Sequence, residues 1–272
     1  MSLRSARLSA ALVLLVATPA AAEDFYCEVM AIEGTVTRTS ADEAGAVLEE
    51  GDLLAADDMV QTGPSSFVDL AYDRDWNNVT RLEENSSLRI RSLVPAELEL
   101  DNGGVFAKLK ALPKDSSFDV QTPTAVASVR GTEYRTTYID GQTEVENVSD
   151  SDVYVYGFDN SGRRQPEPVV VRNAEKTQVA QRGQKPAPPR HMQPQELARA
   201  AQFREKIEKK VRENVERGRF GRMQGALATE RFRDQHERKM LKPDRQGPPE
   251  APRKQQAKPP GKPGPRPQPR RQ

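Results

Sequence analysis

The chain has 272 residues, of which 36% are hydrophobic and 21 are proline, a composition too polar for a chain that packs entirely into compact domains. The formal net charge of +1 hides a division, because residues 1–180 contain 16 basic and 30 acidic residues, whereas residues 181–272 contain 25 basic and 10 acidic ones. Part of the chain should therefore be extended or unfolded, and its two parts should attract each other or attract different partners.

Residues 1–22 are predicted to be a secretory signal peptide. Arg4 and Arg7 precede an apolar run at residues 8–16, and small residues end the segment at Ala22. We expect cleavage after Ala22 and a periplasmic or secreted mature protein. The apolar run is shorter than the roughly 20 residues that a membrane span needs, and nothing later in the chain is apolar enough, so no membrane span is expected.

Cys27 is the single cysteine of the chain, so it cannot form an internal disulfide. A lipoprotein signal would place small residues directly before the cysteine, whereas residues 24–26 here are Asp, Phe and Tyr. Lipid anchoring is therefore not expected. Two roles stay open for Cys27, which are a buried structural thiol and a partner in an intermolecular disulfide.

Residues 23–180 are predicted to form an all-β domain. Short β-branched or aromatic runs alternate with turn residues throughout this region, and no long segment has a helical period. Asn102-Gly103-Gly104 and Asp140-Gly141 are typical of tight turns, which need positive φ angles. The predicted strands include residues 34–38, 67–72, 105–109, 125–129, 133–139 and 153–158.

One stretch of this region has the spacing of a calcium loop. Asp73, Asp75, Asn77 and Glu84 occupy positions 1, 3, 5 and 12 of such a loop. The flanking residues are predicted to be strands instead of the usual helices, and Asn78 stands where the loop requires a glycine. The alternative is a polar hairpin tip with Trp76 packed nearby.

The chain beyond residue 180 changes character abruptly. Residues 181–194 are predicted to be a Pro-rich linker, residues 195–241 a charged helical segment, and residues 242–272 a disordered tail rich in Pro, Lys and Arg. Phe203, Ile207, Val211 and Val215 recur at every fourth residue and should lie on one face of the helix. The basic tail has three possible roles, which are solubility, electrostatic docking to anionic envelope polymers or lipid headgroups, and contact with a partner protein through that face.

No catalytic constellation stands out in the sequence. His191 and His236 are the two histidines, and both lie in the tail, where they cannot form a Ser/His/Asp or Cys/His set. There is no Cys/His metal spacing and no glycine-rich phosphate loop. We therefore expect a protein that is not an enzyme and uses no cofactor.

A block at residues 118–132 carries a resemblance to a known family. It contains Thr122-Pro123, followed by small residues and then by Val129, Arg130, Gly131 and Thr132. Further matching positions are Gly34, Val36, Gly51-Asp52, Thr62-Gly63, Ser66, Leu82 and Gly104-Val105. Residues 29–180 thereby resemble the FecR domain family, whose members are best known as periplasmic modules that relay signals to extracytoplasmic sigma factors.

The resemblance implies a twisted β-solenoid or β-roll. It also implies structural roles for Thr122, Pro123, Arg130, Gly131 and Thr132. Arg130 would be either a buried ion-pair partner, for which Asp52 and Asp69 are the first candidates, or an exposed reader of an anionic partner.

Function follows from these expectations only as a class. The sigma-regulating relatives carry a cytoplasmic helical segment and a membrane span before this domain, and here a signal peptide is predicted in their place, so direct anti-sigma activity is not expected. The leading hypothesis is a periplasmic adaptor or sensor that binds an envelope protein or an anionic envelope polymer. Regulation of sigma-factor or receptor signalling in trans and a structural role in a surface or secretion assembly are the alternatives. Nucleic acid is not an expected partner, because export removes the chain from it.

Overall fold

The computed structural model describes residues 27–41, 44–73, 75–110, 112 and 116–218. The predicted signal peptide and the predicted disordered tail at 242–272 lie outside these residues. The described strands and helix are β1 (Cys27–Glu33), β2 (Val36–Thr39), β3 (Ala46–Val47), β4 (Leu53–Leu54), β5 (Met59–Thr62), β6 (Phe67–Ala71), β7 (Asn78–Leu82), β8 (Ser87–Leu93), β9 (Ala96–Leu109), β10 (Phe118–Gln121), β11 (Ala125–Val129), β12 (Glu133–Ile139), β13 (Gln142–Asn147), β14 (Val153–Gly157), β15 (Val169–Val171), β16 (Glu175–Val179), β17 (Arg190–His191) and α1 (Pro194–Glu216).

The strands form two sheets that share one long strand. Sheet A has the order β4-β1-β6-β7-β9-β12-β13-β16-β17, and all its neighbours are antiparallel. Sheet B has the order β3-β2-β5-β8-β9-β10-β11-β14-β15, in which only β9 and β10 are parallel. The chain passes repeatedly from one sheet to the other. The predicted all-β, roll-like fold is therefore confirmed.

The strand β9 crosses from sheet B to sheet A without a break. Its first half pairs with β8 and β10, and residues 103–109 pair with β7 and β12. Gly103, at φ +92°, lies at the crossing, where an added Cβ would come 2.0 Å from the Ser86 hydroxyl oxygen. Asn102-Gly103-Gly104 is thus a bend inside one strand, and the prediction of a turn between two strands is wrong. The Asp140-Gly141 hairpin between β12 and β13 is as predicted.

The hydrophobic core lies between the two sheets. Side chains alternate along each strand, so that one set faces inward and the other faces outward. Tyr72 and Phe118 meet edge to face in the core, with their ring centroids 5.2 Å apart. Other large side chains with no exposed surface include Leu70, Leu82, Leu88, Ile90 and Tyr134.

The segment predicted as a separate linker extends sheet A instead. The Ala187 amide donates to the Gln178 carbonyl at 2.9 Å, and the Thr177 hydroxyl donates to the Ala187 carbonyl at 2.6 Å. Pro186 is buried, and β17 adds two pairs to β16. Backbone hydrogen bonds therefore hold residues 181–191 against the domain, since a buried strand edge satisfies its polar groups by adding another strand.

Candidate binding face

The outward surface of sheet A carries charged side chains that are largely buried, where solvent-exposed polar side chains would be usual. Asp69 on β6 and Arg81 on β7 are direct neighbours in the ladder. The Arg81 Nε and Nη2 atoms each donate to an Asp69 carboxylate oxygen at 2.7 Å, and the two side chains are 3% and 0% exposed. The Arg81 guanidinium also lies 4.0 Å from the centre of the Phe67 ring. Bidentate geometry and burial make this a strongly coupled pair.

A second arginine continues the charged surface. Arg135 on β12 donates from Nε and Nη2 to Glu83 at 2.5 and 2.8 Å, and its Nη1 lies 3.7 Å from Glu146 on β13. A Cβ at position 104 would lie 2.8 Å from the Glu83 carboxyl carbon, so glycine at this position makes room for the carboxylate. Burial alone would lower the pKa of Arg135, but the hydrogen bonds to Glu83 outweigh it and raise the pKa, so the guanidinium stays charged.

The helix α1 begins directly after β17. Pro194 opens it, and the Glu196 carboxylate accepts the Gln193 amide at 2.7 Å, which satisfies one of the free donors at the helix start. The helix ends at Glu216, and Gly218 follows at φ +68°. Of the segment 195–241 predicted as helical, residues 195–216 are therefore helix, and residues 219–241 lie outside the described part of the chain.

The helix α1 packs on the outward surface of sheet A. Ala200 and Ile207 are buried there, and the Phe203 ring lies 5.6 Å from the Phe106 ring of β9, centre to centre. Val215, by contrast, is 44% exposed. Residues at every fourth position drift about 40° per step around a helix of 3.6 residues per turn, so the predicted four-residue stripe cannot face one surface over its whole length. The predicted apolar face is thus only partly used, and this chain's own domain covers it.

The side-chain amide of Asn214 attaches the C-terminal part of α1 to strand β1. The register of β1 and β6 shifts between Val29 and Ala31, which marks a bulge at Met30. Asn214, which is 3% exposed, donates from Nδ2 to the Met30 carbonyl oxygen at 2.9 Å. A bulge leaves a backbone group without its ladder partner, and the asparagine amide supplies one.

Ion pairs join α1 to sheet A along most of its length. Four helix residues of both signs each meet an opposite charge on the sheet. The pairs are Glu196 with Lys176 at 2.5 Å, Arg199 with Glu146 at 2.8 Å, Arg204 with Glu133, and Glu208 with Lys108 at 3.2 Å. We call this outward surface of β7, β9, β12, β13 and β16 the helix-covered face.

These ion pairs shift the pKa values of several groups. Burial would lower the pKa of Lys176, but hydrogen bonds to Glu144 and Glu196 raise it. Burial would likewise raise the pKa of Glu196, but its bond to Lys176 lowers it. Burial raises the pKa of Glu146 in spite of Arg135 and Arg199, because its carboxylate is only 1% exposed. Pairing therefore favours the charged forms of Lys176 and Glu196, whereas burial outweighs pairing at Glu146.

Three carboxylates of this surface approach one another. Oxygen atoms of Glu144, Glu146 and Glu196 lie within 4.8 Å of one another, a spacing that would suit a metal ion. Lys176 bonds to two of these carboxylates at 2.6 and 2.5 Å, and Arg199 bonds to the third. The protein's own cations thus already neutralise this cluster.

The structure does not bring the predicted calcium ligands together. The Asp73 carboxylate accepts the backbone amides of Asp75, Asn77 and Asn78 at 2.6 to 3.0 Å, so it caps its own loop. Glu84 lies beyond the other end of β7 and accepts the Ser65 amide at 2.8 Å. The intervening five-residue strand spans at least about 13 Å at its usual rise. The prediction of one calcium loop is wrong on this geometry, and Trp76, which is 4% exposed, packs as the hairpin alternative expects.

The family signature holds the two sheets together. The Thr122 hydroxyl oxygen accepts the Ala125 amide at 3.0 Å and lies 2.6 Å from the Thr143 hydroxyl of sheet A. The Thr132 hydroxyl lies 2.7 Å from the Ser149 hydroxyl at the passage from β11 to β12. Pro123 is exposed at the turn, and Gly131 takes φ +133°. These contacts support the structural roles that the resemblance implies.

Arg130 is not the buried ion-pair partner that was the first of its two expected roles. It is exposed, and it forms no ion pair among the described residues. The two expected partners are engaged elsewhere, because Asp69 holds Arg81 and Asp52 accepts the Glu49 amide at 2.9 Å. The buried ion pair is therefore wrong, and the alternative of an exposed basic side chain is what the structure shows.

Two further candidate residues have simple environments. Cys27 has no exposed surface, and burial raises the pKa of its thiol, which fits a structural thiol and not an intermolecular disulfide. His191 is exposed on β17. No helix in the described residues has the length and apolar character that crossing a membrane would require.

Sheet B carries a small cleft on its outward surface. Its volume is about 200 Å³, and its lining includes Arg91, Glu97, Asp119, Gln121 and Phe158. Arg164 at its rim stacks on Tyr156 at 3.4 Å and lies 3.6 Å from Asp119. The lining mixes apolar and charged side chains, and Arg91 pairs with Glu99 at its edge.

Sequence reasoning missed the residues that build the helix-covered face. Arg81, Arg135 and Lys108 each stand between two buried residues of a strand, as in Thr80-Arg81-Leu82. This alternation shows that they point outward, but it cannot show that a helix more than 50 residues later covers them. The available sequence signal is the order of charges along residues 196–208, which is complementary to the charges of the sheet.

Comparisons with known proteins match part of the chain. The sequence model described as FecR protein matches residues 58–153, which run from the turn before β5 to the first residue of β14. No curated protein sequence matches the chain. Two crystal structures of a "putative anti-sigma factor" from Parabacteroides distasonis ATCC 8503, at 1.65 and 2.50 Å, are each 13% identical to it, with a TM-score of 0.41. Each match covers 52% of this chain and 62% of the other, and this similarity is too weak to support a conclusion.

The match to the family model includes the whole signature from Thr122 to Thr132 and the strands that pass between the sheets. It thereby confirms the resemblance that the signature predicted. Residues 58–153 of the chain therefore match the FecR protein family.

Proposed function

We propose that this protein is a non-enzymatic regulatory module of the bacterial cell envelope, which acts in trans on a sigma-factor or receptor signalling system by binding one of its envelope proteins. The observation that carries the proposal is the FecR family match over residues 58–153. The family's best known members relay signals to extracytoplasmic sigma factors, and the match includes the centre of both sheets.

The predicted signal peptide supports a periplasmic or secreted location for this activity. Cleavage after Ala22 would release the acidic domain and the basic tail together into that compartment. The partner is then an envelope protein and not nucleic acid.

The geometry of the helix-covered face is in keeping with binding. Arg135, Glu146 and Lys176 of this face are bonded to other side chains of the protein instead of facing an open cavity. Charges arranged in this way give specificity for a partner surface of complementary pattern.

A deletion strain tests the proposal. We expect the transcript profile of the strain to change in the target genes of one extracytoplasmic sigma factor, and the full chain to restore it. A chain lacking residues 2–22, which stays in the cytoplasm, is the matched control and should restore nothing. An unchanged profile under envelope stress, or restoration by the cytoplasmic form, would contradict regulation from the envelope.

The charge of the tail favours a second candidate function, which is attachment to an anionic envelope polymer. Residues 181–272 contain 25 basic and only 10 acidic residues. Exposed charge attraction of this kind weakens over a Debye length of roughly 8 Å at physiological ionic strength. The mature chain should therefore co-sediment with isolated anionic envelope polymer at low salt and lose it at high salt. A chain ending at residue 218 that sediments equally well would exclude this attachment.

A further inference from the structure

We propose that the helix-covered face is an exchangeable docking site for an amphipathic helix, in which α1 is the resident occupant and a partner protein's helix of the same charge pattern takes its place. This inference rests on the proposed function and deepens it, because it names the surface that the partner would use. The partner is identified by its chemistry, which is an acidic residue, two basic residues, an aliphatic residue and a second acidic residue at the spacing of residues 196, 199, 204, 207 and 208.

The first argument is that two buried arginines of this surface stay paired without the helix. The Asp69–Arg81 and Glu83–Arg135 pairs close entirely within sheet A. A sheet surface built for permanent burial under a helix is normally apolar. This face instead keeps Arg81, Arg135 and Lys176 paired within the domain, which suits a surface that meets water when its cover leaves.

The second argument is that α1 is attached largely by charge. Its buried apolar residues are Ala200 and Ile207, with Phe203 half-buried against Phe106. Arg199, Arg204 and Glu208 are 45%, 41% and 39% exposed in their pairs with the sheet. Water and salt reach these groups, so the pairs can open one after another without stranding a buried charge on the helix.

The third argument is specificity. The charges along the helix have the order negative, positive, positive, negative. They pair with opposite charges of the sheet on Lys176, Glu146, Glu133 and Lys108. A helix of another charge order would bring like charges together and be rejected. Buried and partly buried ion pairs contribute less stability than apolar contacts of similar size, and selection of one partner is the use best matched to them.

The short connection between β17 and α1 explains why α1 itself occupies the helix-covered face. Met192 and Gln193 alone separate β17 from the first residue of α1. So short a connection holds the helix at a high effective concentration beside its site. A free helix of the same sequence therefore competes poorly with the intact chain and binds well only after α1 has been weakened.

A labelled peptide of residues 194–218 tests the inference on the full mature chain. Ile207→Asp places a charge at the buried centre of the contact, and Val215→Asp, on the exposed side of the same helix, is the matched control. We expect fluorescence anisotropy to show the peptide binding to the I207D chain at least about tenfold more tightly than to the wild-type or V215D chain. Raising the salt concentration from 0.05 to 0.5 M should weaken this binding by about tenfold or more.

Two controls keep the result decisive. A peptide carrying R199E and R204E should not bind the I207D chain, because both charges would then face Glu146 and Glu133. If the I207D chain does not unfold cooperatively in urea, a chain with R199E and R204E, whose side chains are partly exposed, replaces it.

Failure of the wild-type peptide to bind a folded chain of either kind would overturn the inference, as would equal binding to the wild-type and weakened chains. Either result leaves the transcript experiment untouched, since no partner protein is present in the titration. A changed regulon with no peptide binding would keep the proposed function and move its binding surface elsewhere.

Discussion

The buried Asp69–Arg81 pair gives the sharpest test of the charged surface. Asp69→Asn keeps the shape of the side chain but removes its charge, which leaves the Arg81 guanidinium buried with a weaker partner. Breaking a buried pair at one end typically costs about 3–5 kcal/mol, because the remaining charge has no compensation. Arg81→Met should cost a similar amount for the opposite reason, since it strands the carboxylate.

The double variant Asp69→Leu with Arg81→Met should behave differently. It replaces the pair by apolar side chains, which is often neutral or stabilising. The stacking of Arg81 on Phe67 is lost, at a cost of about 0.5–1 kcal/mol, so we expect the double variant to lie within about 1 kcal/mol of the wild type. The two single effects are therefore strongly non-additive.

Urea unfolding of the mature chain, followed by circular dichroism, measures these free energies of unfolding. Arg130→Ala is the matched control, because this exposed arginine forms no ion pair among the described residues and should change stability by no more than about 0.5 kcal/mol. Single variants that each cost less than about 1 kcal/mol, or a double variant that costs the sum of both, would refute the reasoning from burial and coupling.

Three further outcomes follow from single contacts. Asn214→Ala should lower the free energy of unfolding by about 1–3 kcal/mol, because the Met30 carbonyl would lose its donor while buried, and thermal unfolding against an Asn214→Asp variant measures this. Cys27 should not react with a thiol reagent in the native protein and should react at once in urea, and rapid native labelling would contradict its burial. Hydrogen bonds from Ser161 and from backbone amides lower the pKa of Asp159 from 3.8 to about 2, so the stabilisation of its loop is complete above pH 3.8 and is lost as the pH falls towards 2. A carbon-13 NMR titration should show a higher pKa of Asp159 in the Ser161→Ala variant, and an unchanged pKa would exclude the hydroxyl as the cause.

Local chemistry determined much of this protein from sequence alone. The strands at residues 125–129 and 133–139 have the predicted bounds, because alternation of apolar and polar residues and flanking turn residues act over only a few positions. The Asp140-Gly141 hairpin needs two adjacent positive φ angles, which those two residue types supply. The family signature was equally visible, since its residues are contiguous.

Tertiary structure decided everything that depends on distant partners. Asn102-Gly103-Gly104 has the composition of a turn, but strands on both sides pair through it and make it a bend. The calcium-like spacing is correct along the chain, yet β7 carries Glu84 away from Asp73, because an extended strand separates residues that a helix or loop would keep close. None of the strand registers places Arg130 next to its expected partners, Asp52 and Asp69.

The candidate binding face shows this limit most clearly. The sequence alone shows which residues of α1 are charged. Only the fold joined Glu133 to Arg204 and Met30 to Asn214, which are 71 and 184 residues apart. Ion pairs and hydrogen bonds require atoms within a few ångströms of each other, and no local pattern specifies which distant element will supply them, because pairing of strands and packing of the helix set that distance together.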